Sequence, residues 1–333
     1  MKQSKGFSSL EFIITLFFLS LIIIALGIFL RTSDLTIRKY ISKKEDIKAI
    51  DIILNLVFEE IKKDTTPSVD SLLDPVWKLN DTEIDGYKIS IQALSGLIGL
   101  NFINKNLLTK TNLKDVFNSP EAVDSVIEVI TQEGPINSYE KISEYISEEN
   151  FNKYFTLYEY ANFNIADENV LRNFANTLSM SYFGDELISR RKLNQTHGNL
   201  LQNETELNLL CGIYYDDLYP FINLNPVMNI NFINEDCLKT LLGFKDFKLS
   251  NISQKVNNII SLRENSEITE ENICAILGIT KSDKLYYYLG CKTWMWQINI
   301  SGKKVSCNVI LARAPEDDTQ GHPKFYLIEK NWK

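Results

Sequence analysis

The sequence lacks the short motifs that identify many enzymes. No Gly-x-Ser-x-Gly, His-Glu-x-x-His or Gly-x-x-x-x-Gly-Lys-Ser/Thr pattern occurs among its 333 residues. It contains only two histidines, His197 and His322, and each lies in a polar stretch without a nearby triad or metal partner. We therefore predict that the protein is not an enzyme, and that both histidines lie in surface loops.

Positive charge is also scarce. The chain has 35 Lys and Arg against 43 Asp and Glu, which gives a formal net charge of −8. Proteins that bind nucleic acid present a basic surface to the phosphates. The acidic balance therefore argues against a nucleic-acid partner.

Cysteine is absent from the first 210 residues, and all five cysteines lie in the remainder: Cys211, Cys237, Cys274, Cys291 and Cys307. No C-x-x-C pair or His at ligand spacing accompanies them, which argues against zinc. In an oxidising compartment one or two disulfides can form, and the odd count leaves at least one thiol over. The alternative is that all five are reduced and packed as small apolar residues.

The N-terminal segment contains the longest apolar run of the chain. The run Phe12 to Leu30 is long enough for one membrane crossing, which takes roughly 20 apolar residues. Lys2 and Lys5 precede it and predict a cytoplasmic N-terminus, with the rest of the chain on the far side. Glu11, at the start of the run, is a carboxylate that needs a positively charged partner.

These residues resemble a known processing signal. Gly6-Phe7, followed by Glu11 and an unbroken apolar helix, is similar to the prepilin-peptidase signal of type IV pilins and type II secretion pseudopilins. The resemblance implies cleavage between Gly6 and Phe7, methylation of the new Phe7 amine, and pairing of Glu11 with the terminal amine of a neighbouring subunit. The alternative is an uncleaved signal anchor that carries a glutamate by chance.

Helical periodicity continues beyond the apolar run. Apolar residues from Ile47 to Ile61 recur at steps of three and four, and charged residues fill the other faces. Thr65-Thr66-Pro67 ends the pattern. We predict one helix from Phe7 to Lys63, whose first half crosses the membrane and whose second half packs on a globular part.

Strand patterns flank the middle of the chain. Apolar and polar residues alternate over Tyr87–Gln92, and again on both sides of Ser301-Gly302. If Ser301-Gly302 forms a two-residue turn, Cys307 lies opposite Trp296. A further strand is predicted at Phe325–Ile328.

The chain between these strands has the pattern of short, capped helices. Four segments share a layout in which an apolar residue precedes a capping position and two acids: Ile146–Phe151, Ile165–Val170, Ile233–Leu238 and Ile268–Ile273. Ser147, Asn234 and Thr269 are good N-caps, and the acids favour the positive end of the helix dipole. Asn-rich stretches at 101–104, 162–164 and 222–226 precede three helical blocks, where side-chain amides can cap turns.

A second resemblance covers nearly the whole chain. Ser95–Asn101 after a strand, Ile136–Ile142 and Phe221–Pro226 within helical blocks, and the final β region are similar to the K-type minor pseudopilin of type II secretion. The resemblance implies an α+β fold: a long N-terminal transmembrane helix packed on a pilin-like antiparallel sheet, with a large insertion of duplicated SAM-like, helix-hairpin-helix units. The predicted segments are a leader 1–6, a transmembrane segment 7–30, the soluble helix half 31–63, the first β part 64–100, the helical insertion 101–285 and the last β part 286–333.

The same resemblance implies a function. K-type subunits act at or near the filament tip, where they prime assembly with the I- and J-type minor pseudopilins and contact cargo, and they are held in the inner membrane with the C-terminal domain on the periplasmic side. One residue departs from the family, because K-type proteins usually lack the glutamate found here as Glu11. The alternatives are a large minor pilin of a type IV pilus or DNA-uptake pseudopilus and, more remotely, a membrane-tethered extracytoplasmic enzyme.

Calcium is the only metal that the resemblance implies, since some K-type proteins bind it. The candidate ligands are Asp317 and Asp318, with Asp216-Asp217 as a second acidic pair. Neither place has the Asp-x-Asp-x-Asp-Gly spacing of a known calcium loop, and a solvated turn is the alternative at both.

Overall fold

The computed structural model describes residues 5–64, 66–177, 183–196, 200–317 and 322–333. It consists of one long N-terminal helix, an antiparallel sheet, and a helical region inserted between two strands of that sheet. The helices are α1 Lys5–Lys62, α2 Lys105–Thr109, α3 Pro120–Glu133, α4 Glu148–Tyr154, α5 Glu168–Thr177, α6 Phe183–Thr196, α7 Glu204–Cys211, α8 Tyr215–Leu218, α9 Glu235–Leu242, α10 Ile252–Arg263 and α11 Glu270–Leu277. The strands are β1 Glu83–Ile84, β2 Tyr87–Ala93, β3 Ile98–Gly99, β4 Phe155–Thr156, β5 Ala161–Asn162, β6 Ile222–Asn223, β7 Met228–Asn229, β8 Leu289–Gly290, β9 Met295–Ser301, β10 Ser306–Asp317 and β11 Pro323–Trp332.

Helix α1 confirms the prediction of a single long helix. Its 58 residues correspond to about 87 Å at 1.5 Å per residue. Only its last turns pack on the sheet, through a buried stripe at Ile50, Ile53, Leu54, Val57 and Ile61. These positions recur at three- and four-residue steps, so they share the face of the helix that the periodicity predicted.

Among the residues whose side chains the structure describes, no helix has both the length and the hydropathy of a membrane span. This finding does not support the predicted transmembrane segment at 7–30. Most of that segment, at 7–16, 18 and 21–23, lies outside the residues with described side chains. The membrane span therefore stays a prediction.

The sheet has five strands in the order β1-β2-β9-β10-β11, and all its pairs are antiparallel. Strands β2 and β9 are neighbours in the sheet although about 200 residues separate them in sequence, because the helical region is inserted between them. One face of the sheet packs on α1 through Ile89, Ile91, Ile298 and Ile300. The inward residues of β2 are those that the alternation in Tyr87–Gln92 predicted.

The β9–β10 hairpin differs from the prediction. Cys307 lies opposite Ile300, and Trp296 lies opposite Leu311. The loop has four residues, since the N–H of Gly302 donates to the carbonyl of Val305 at 2.8 Å. Val305 is buried in the core shared with α1, which explains why the longer loop is favoured over a two-residue turn.

A buried carboxylate holds this loop to the helix. Asp46 of α1 accepts hydrogen bonds from the N–H of Lys304 at 3.0 Å and from the hydroxyl of Tyr87 at 2.9 Å. Lys330 of β11 adds a contact to Asp51 of α1 at 2.6 Å. The polar contacts fix the position of α1 along the sheet, which apolar packing alone defines less sharply.

The helical insertion consists of three consecutive modules of similar design. In each one, a two-residue strand at the start pairs in parallel with a two-residue strand at the end: β3 with β4, β5 with β6, and β7 with β8. The resemblance implied duplicated units, whereas the strand pairs define three. The first and last residues of each module therefore lie side by side.

In each module, a buried asparagine near the start forms two hydrogen bonds with the backbone of one residue further along the chain. The side chain of Asn101 donates to the carbonyl of Ile136 at 2.9 Å and accepts from its N–H at 2.6 Å. Asn164 makes the same pair of bonds with Leu201, and Asn231 makes it with Ile268. The bonded residues lie 35, 37 and 37 positions apart. A buried side-chain amide that satisfies the backbone N–H and C=O of one residue specifies a single chain path.

All three residues predicted as helix N-caps have this role in the structure. The side chains of Ser147, Asn234 and Thr269 each accept from a backbone N–H in the first turn of α4, α9 and α11, and Thr269 completes a capping box. In the fourth segment, Asp167 takes this role in place of Ala166, since its carboxylate accepts from the N–H of Asn169 at 2.9 Å. The repeated cap pattern thus marks helix starts in all three modules.

The connections between modules converge on the sheet face opposite α1. The indole N–H of Trp294 donates to the carbonyl of Pro226 at 2.8 Å, and its backbone N–H donates to the Ser95 hydroxyl at 2.8 Å. A small apolar cluster that includes Leu94, Leu97 and Met295 surrounds these bonds. Trp294 therefore joins the insertion to the sheet. It does not share a face with Trp296, as alternation along one strand would predict, because β9 begins only at Met295.

The asparagine bonds give a prediction about stability. Replacing Asn101 by alanine leaves the buried N–H and carbonyl of Ile136 without partners, and each lost partner of this kind costs about 1–3 kcal/mol. We expect Asn101→Ala to lower the free energy of unfolding by several kcal/mol in urea denaturation followed by circular dichroism.

Asn104→Ala is the matched control. Asn104 is the N-cap of α2, and its loss removes one exposed cap bond worth about 1 kcal/mol. Equal losses for the two variants would contradict the structural role assigned to Asn101.

Candidate functional site

The N-terminal half of α1 carries apolar side chains that the rest of the described chain does not cover. Their exposed fractions lie between 50% and 67%. The residues are Phe17, Leu19, Ile24, Leu26, Ile28, Phe29, Leu30, Leu35, Ile37, Tyr40 and Ile41. An apolar surface of this length on one helix is typical of a segment that is buried in another environment, either lipid or a neighbouring subunit.

The predicted processing residues lie at the start of this helix. Gly6, Phe7 and Glu11 belong to the first turns of α1, and their side chains lie outside the described residues. Their roles in cleavage, methylation and subunit pairing therefore remain predictions.

A second candidate site lies where α1, the insertion and the sheet meet. The Asp70 carboxylate accepts from the N–H of Thr293 at 2.5 Å and lies 3.6 Å from the guanidinium of Arg313. The backbone carbonyl of Asp70 accepts from the side-chain amides of Asn229 and Asn231. All these groups are buried, so Asp70 connects the third module to the sheet through fully desolvated contacts.

Two further acids surround Asp70. Carboxylate oxygens of Asp64, Asp70 and Asp74 all lie within 4.8 Å of one another. Asp74 accepts from the N–H of Ser71 at 2.8 Å, and Asp64 accepts from the N–H of Thr66 at 2.8 Å. Glu267 of the third module lies at the edge of the group, 3.4 Å from the Ser71 hydroxyl. We call Asp64, Asp70 and Asp74 the acidic junction.

Burial controls the protonation of the acidic junction. Desolvation raises the pKa of Asp70 to about 7, although the positive charge of Arg313 and the bond from Thr293 oppose the rise. Desolvation and the nearby charges of Asp64 and Glu267 raise the pKa of Asp74 to about 6, against the hydrogen bonds from Ser71. Two acids of the junction thus titrate close to neutral pH.

The structure brings one predicted calcium ligand near this junction. Asp317 lies 3.6 Å from one terminal nitrogen of the Arg313 guanidinium, and Asp70 lies 3.6 Å from the other. Asp318 lies outside the described residues. Asp216 and Asp217 are exposed in the first turn of α8, far in sequence from the junction, where acids favour the helix dipole.

The residues of the acidic junction fit the chemistry of calcium, which prefers carboxylate oxygens. Asp64, Asp70 and Asp74 would hold the ion, and the ion would supply positive charge that a single arginine supplies now. The three carboxylates provide fewer than the six to eight oxygens that calcium usually takes. This site was not predicted from the sequence, because no motif relates the three positions.

Comparisons with known proteins give a likeness in fold. No family model matches the chain, and no curated protein matches it. Among solved structures, it is similar to a chain of the GspK-GspI-GspJ complex of the Type 2 Secretion System from enterotoxigenic Escherichia coli, with a TM-score of 0.42 and 10% identity. The match covers 89% of this chain and 98% of that chain. With this TM-score and identity, no conclusion about the chain is drawn from the likeness.

The raised pKa of Asp74 predicts how stability changes with pH. Because its pKa is higher in the folded chain than in the unfolded one, the folded state holds the proton over a wider pH range. The contribution of Asp74 to the free energy of unfolding is therefore at its maximum below about pH 4, and it is lost as the pH rises through about 6. We expect the free energy of unfolding of the wild type, relative to Asp74→Asn, to fall by about 2 kcal/mol between pH 4 and pH 7.

Denaturation at several pH values checks this difference, with Asp216→Asn as the control variant that leaves the profile unchanged. Millimolar calcium restores the lost stability near pH 7 if the junction holds the ion, and Asp74→Asn weakens that effect. A wild-type profile that rises with pH relative to Asp74→Asn would contradict the prediction.

Proposed function

We propose that this chain is a minor subunit of a type II secretion-like pseudopilus, of the K type, which acts at or near the filament tip without catalysis of its own. The observation that carries the proposal is the exposed apolar half of α1, which extends from a globular part that buries only the other half. Gly6 and Phe7 at its start support a pilin-like subunit, and Glu11 supports the same broad class without favouring the K type.

The structure suits a subunit that assembles through its N-terminal helix. The second half of α1 is fixed to the sheet by apolar packing and by Asp46 and Asp51. A neighbouring subunit would cover the exposed half at about 25 cal/mol for each Å² of apolar surface removed from water. The rigid attachment would transmit the position of the packed helix to the globular part.

Before assembly, the run Phe12–Leu30 would hold the subunit in the inner membrane, with the globular part on the periplasmic side. A prepilin peptidase would cut between Gly6 and Phe7. The proposed partners are the I- and J-type minor pseudopilins and the filament subunits, which are the kinds of partner that the sequence resemblance implies.

Glu11 favours a second candidate function, a large minor pilin of a type IV pilus or DNA-uptake pseudopilus. A glutamate at the fifth mature position pairs with the terminal amine of an adjacent subunit, whereas an uppermost cap has no subunit above it. Deletion of the gene separates the two: loss of secretion supports the pseudopilus, and loss of piliation or uptake supports the pilin.

The N-terminus of the mature protein tests the proposal most directly. We expect intact-mass and peptide mass spectrometry of the membrane-extracted protein to find a chain that begins at Phe7 with a methylated amine. A chain that retains Met1, or one that begins elsewhere, would rule out the prepilin assignment.

A substitution tests the role of Glu11. We expect Glu11→Ala to leave membrane insertion intact and to reduce recovery of the subunit in sheared filaments by about tenfold, because one buried charge pair is lost. Glu45→Ala, at an exposed position of the same helix, is the control and should be recovered normally. Unchanged recovery of Glu11→Ala would place the subunit at a tip position where Glu11 has no partner.

A further inference from the structure

Two adjoining grooves run between the helical insertion and the last strands of the sheet. One has a volume of about 490 Å³ and the other of about 440 Å³. Both are lined by Leu157, Tyr158, Glu159, Phe221 and Ile328, so they form one continuous depression. We call this depression the β11 groove. One wall belongs to the insertion and the other to the sheet.

Strand β11 forms the rim of the β11 groove and is the last strand of the sheet. It has ten residues and pairs with β10 on one edge, and no strand of the described chain pairs with its other edge. Three consecutive residues at its centre, Tyr326, Leu327 and Ile328, have exposed fractions of 53%, 52% and 53%. A long apolar edge of this kind can pair with another extended chain, and natural proteins usually block such edges.

The register in which β11 pairs with β10 determines which apolar side chains of β11 face the groove. Ile310 pairs with Glu329 and the next residue, Leu311, pairs with Leu327, so Ile328 is the extra residue of a β-bulge. Tyr326 and Ile328 line the β11 groove, and Leu327 does not. Two neighbouring residues with equal exposure thus differ in whether they line the groove.

The polar lining of the β11 groove favours a basic occupant. Glu316 and Glu329 line the two parts of the groove, and Lys324 is the one basic residue among its described lining residues. Glu329 accepts a hydrogen bond from the Tyr158 hydroxyl, which holds its carboxylate in place. The aromatic rings that share the lining can also receive cations on their faces.

We propose that β11 and its groove bind an extended segment of a partner protein, in which basic residues alternate with apolar ones, and which adds to the sheet as a sixth strand with its basic side chains over the groove. Main-chain hydrogen bonds to the free edge supply affinity, and the acidic, aromatic groove selects the side chains. The inference deepens the proposed function, on which it rests for the expectation of protein partners.

A pair of synthetic peptides tests the proposal with the full chain in detergent micelles. One ten-residue peptide alternates valine with lysine, and the other alternates valine with glutamate. We expect fluorescence anisotropy to show at least tenfold tighter binding of the lysine peptide, and hydrogen exchange to slow in residues 323–332. Equal affinities, or protection elsewhere in the chain, would overturn the proposal.

Two substitutions of equal exposure provide the matched comparison. Tyr326→Lys places a positive charge at the groove and should weaken the lysine peptide at least tenfold. Leu327→Lys adds the same charge to the same strand outside the groove lining and should change the affinity less than twofold. Equal effects would mean that the groove does not select the peptide.

Two further variants separate the contributions of charge and backbone. Glu316→Gln should reduce the preference for lysine over glutamate severalfold, and a lysine peptide with methylated backbone nitrogens should fail to bind. Concentration-dependent dimers that protect β11 in the absence of peptide would instead assign the edge to a second copy of this chain and overturn the proposal. A mature N-terminus at Phe7 together with no peptide binding would reject this inference and leave the proposed function intact.

Discussion

The desolvated contacts of Asp70 hold the two halves of the globular part together. Its carboxylate faces Arg313 and the N–H of Thr293 in the sheet, and its carbonyl accepts two amides from Asn229 and Asn231 in the third module. Each of these groups would be left unsatisfied in a buried site if its partner moved away. These contacts, together with those of Trp294, therefore fix the position of the insertion on the sheet.

The parallel strand pairs explain how an insertion of nearly two hundred residues leaves the sheet intact. Each module returns the chain to its own starting point, so three modules in series also end near the place where the first one begins. The chain can then leave β2, traverse the whole insertion and enter β9 beside β2. The sheet and α1 keep a simple architecture because each module closes on itself.

The sequence predicted the features that depend on neighbouring residues. The caps at Ser147, Asn234 and Thr269, the long helix and the alternating strands all depend on contacts within a few positions. The asparagine bonds were missed because they join residues more than thirty positions apart. Neither the three Asn-rich stretches nor the four capped segments indicated these partners. The predicted register of the β9–β10 hairpin was wrong because tertiary contacts, the burial of Val305 and the bond from Lys304 to Asp46, outweigh the local turn preference.

The acidic junction was missed for a related reason. Asp64, Asp70 and Asp74 lie in a connection that looks like an ordinary polar loop, and only the folded chain encloses them. The predicted acids at Asp216 and Asp217 are more conspicuous in sequence, yet they are solvated. Clustering and burial decide whether acids form a site, and neither is a property of local sequence.

The buried Asp70–Arg313 pair has a consequence for the groove beside β11. Removing two charges from water offsets most of their attraction, so such a pair adds little stability compared with apolar residues of the same size. The pair does fix the orientation of the Arg313 side chain, because its guanidinium also donates to the carbonyl of Pro67 at 2.6 Å. The walls of the β11 groove come from the insertion and from the sheet, and a rotation between them would change its width. The pair helps to hold the insertion on the sheet, and the two walls of the proposed groove come from these two parts.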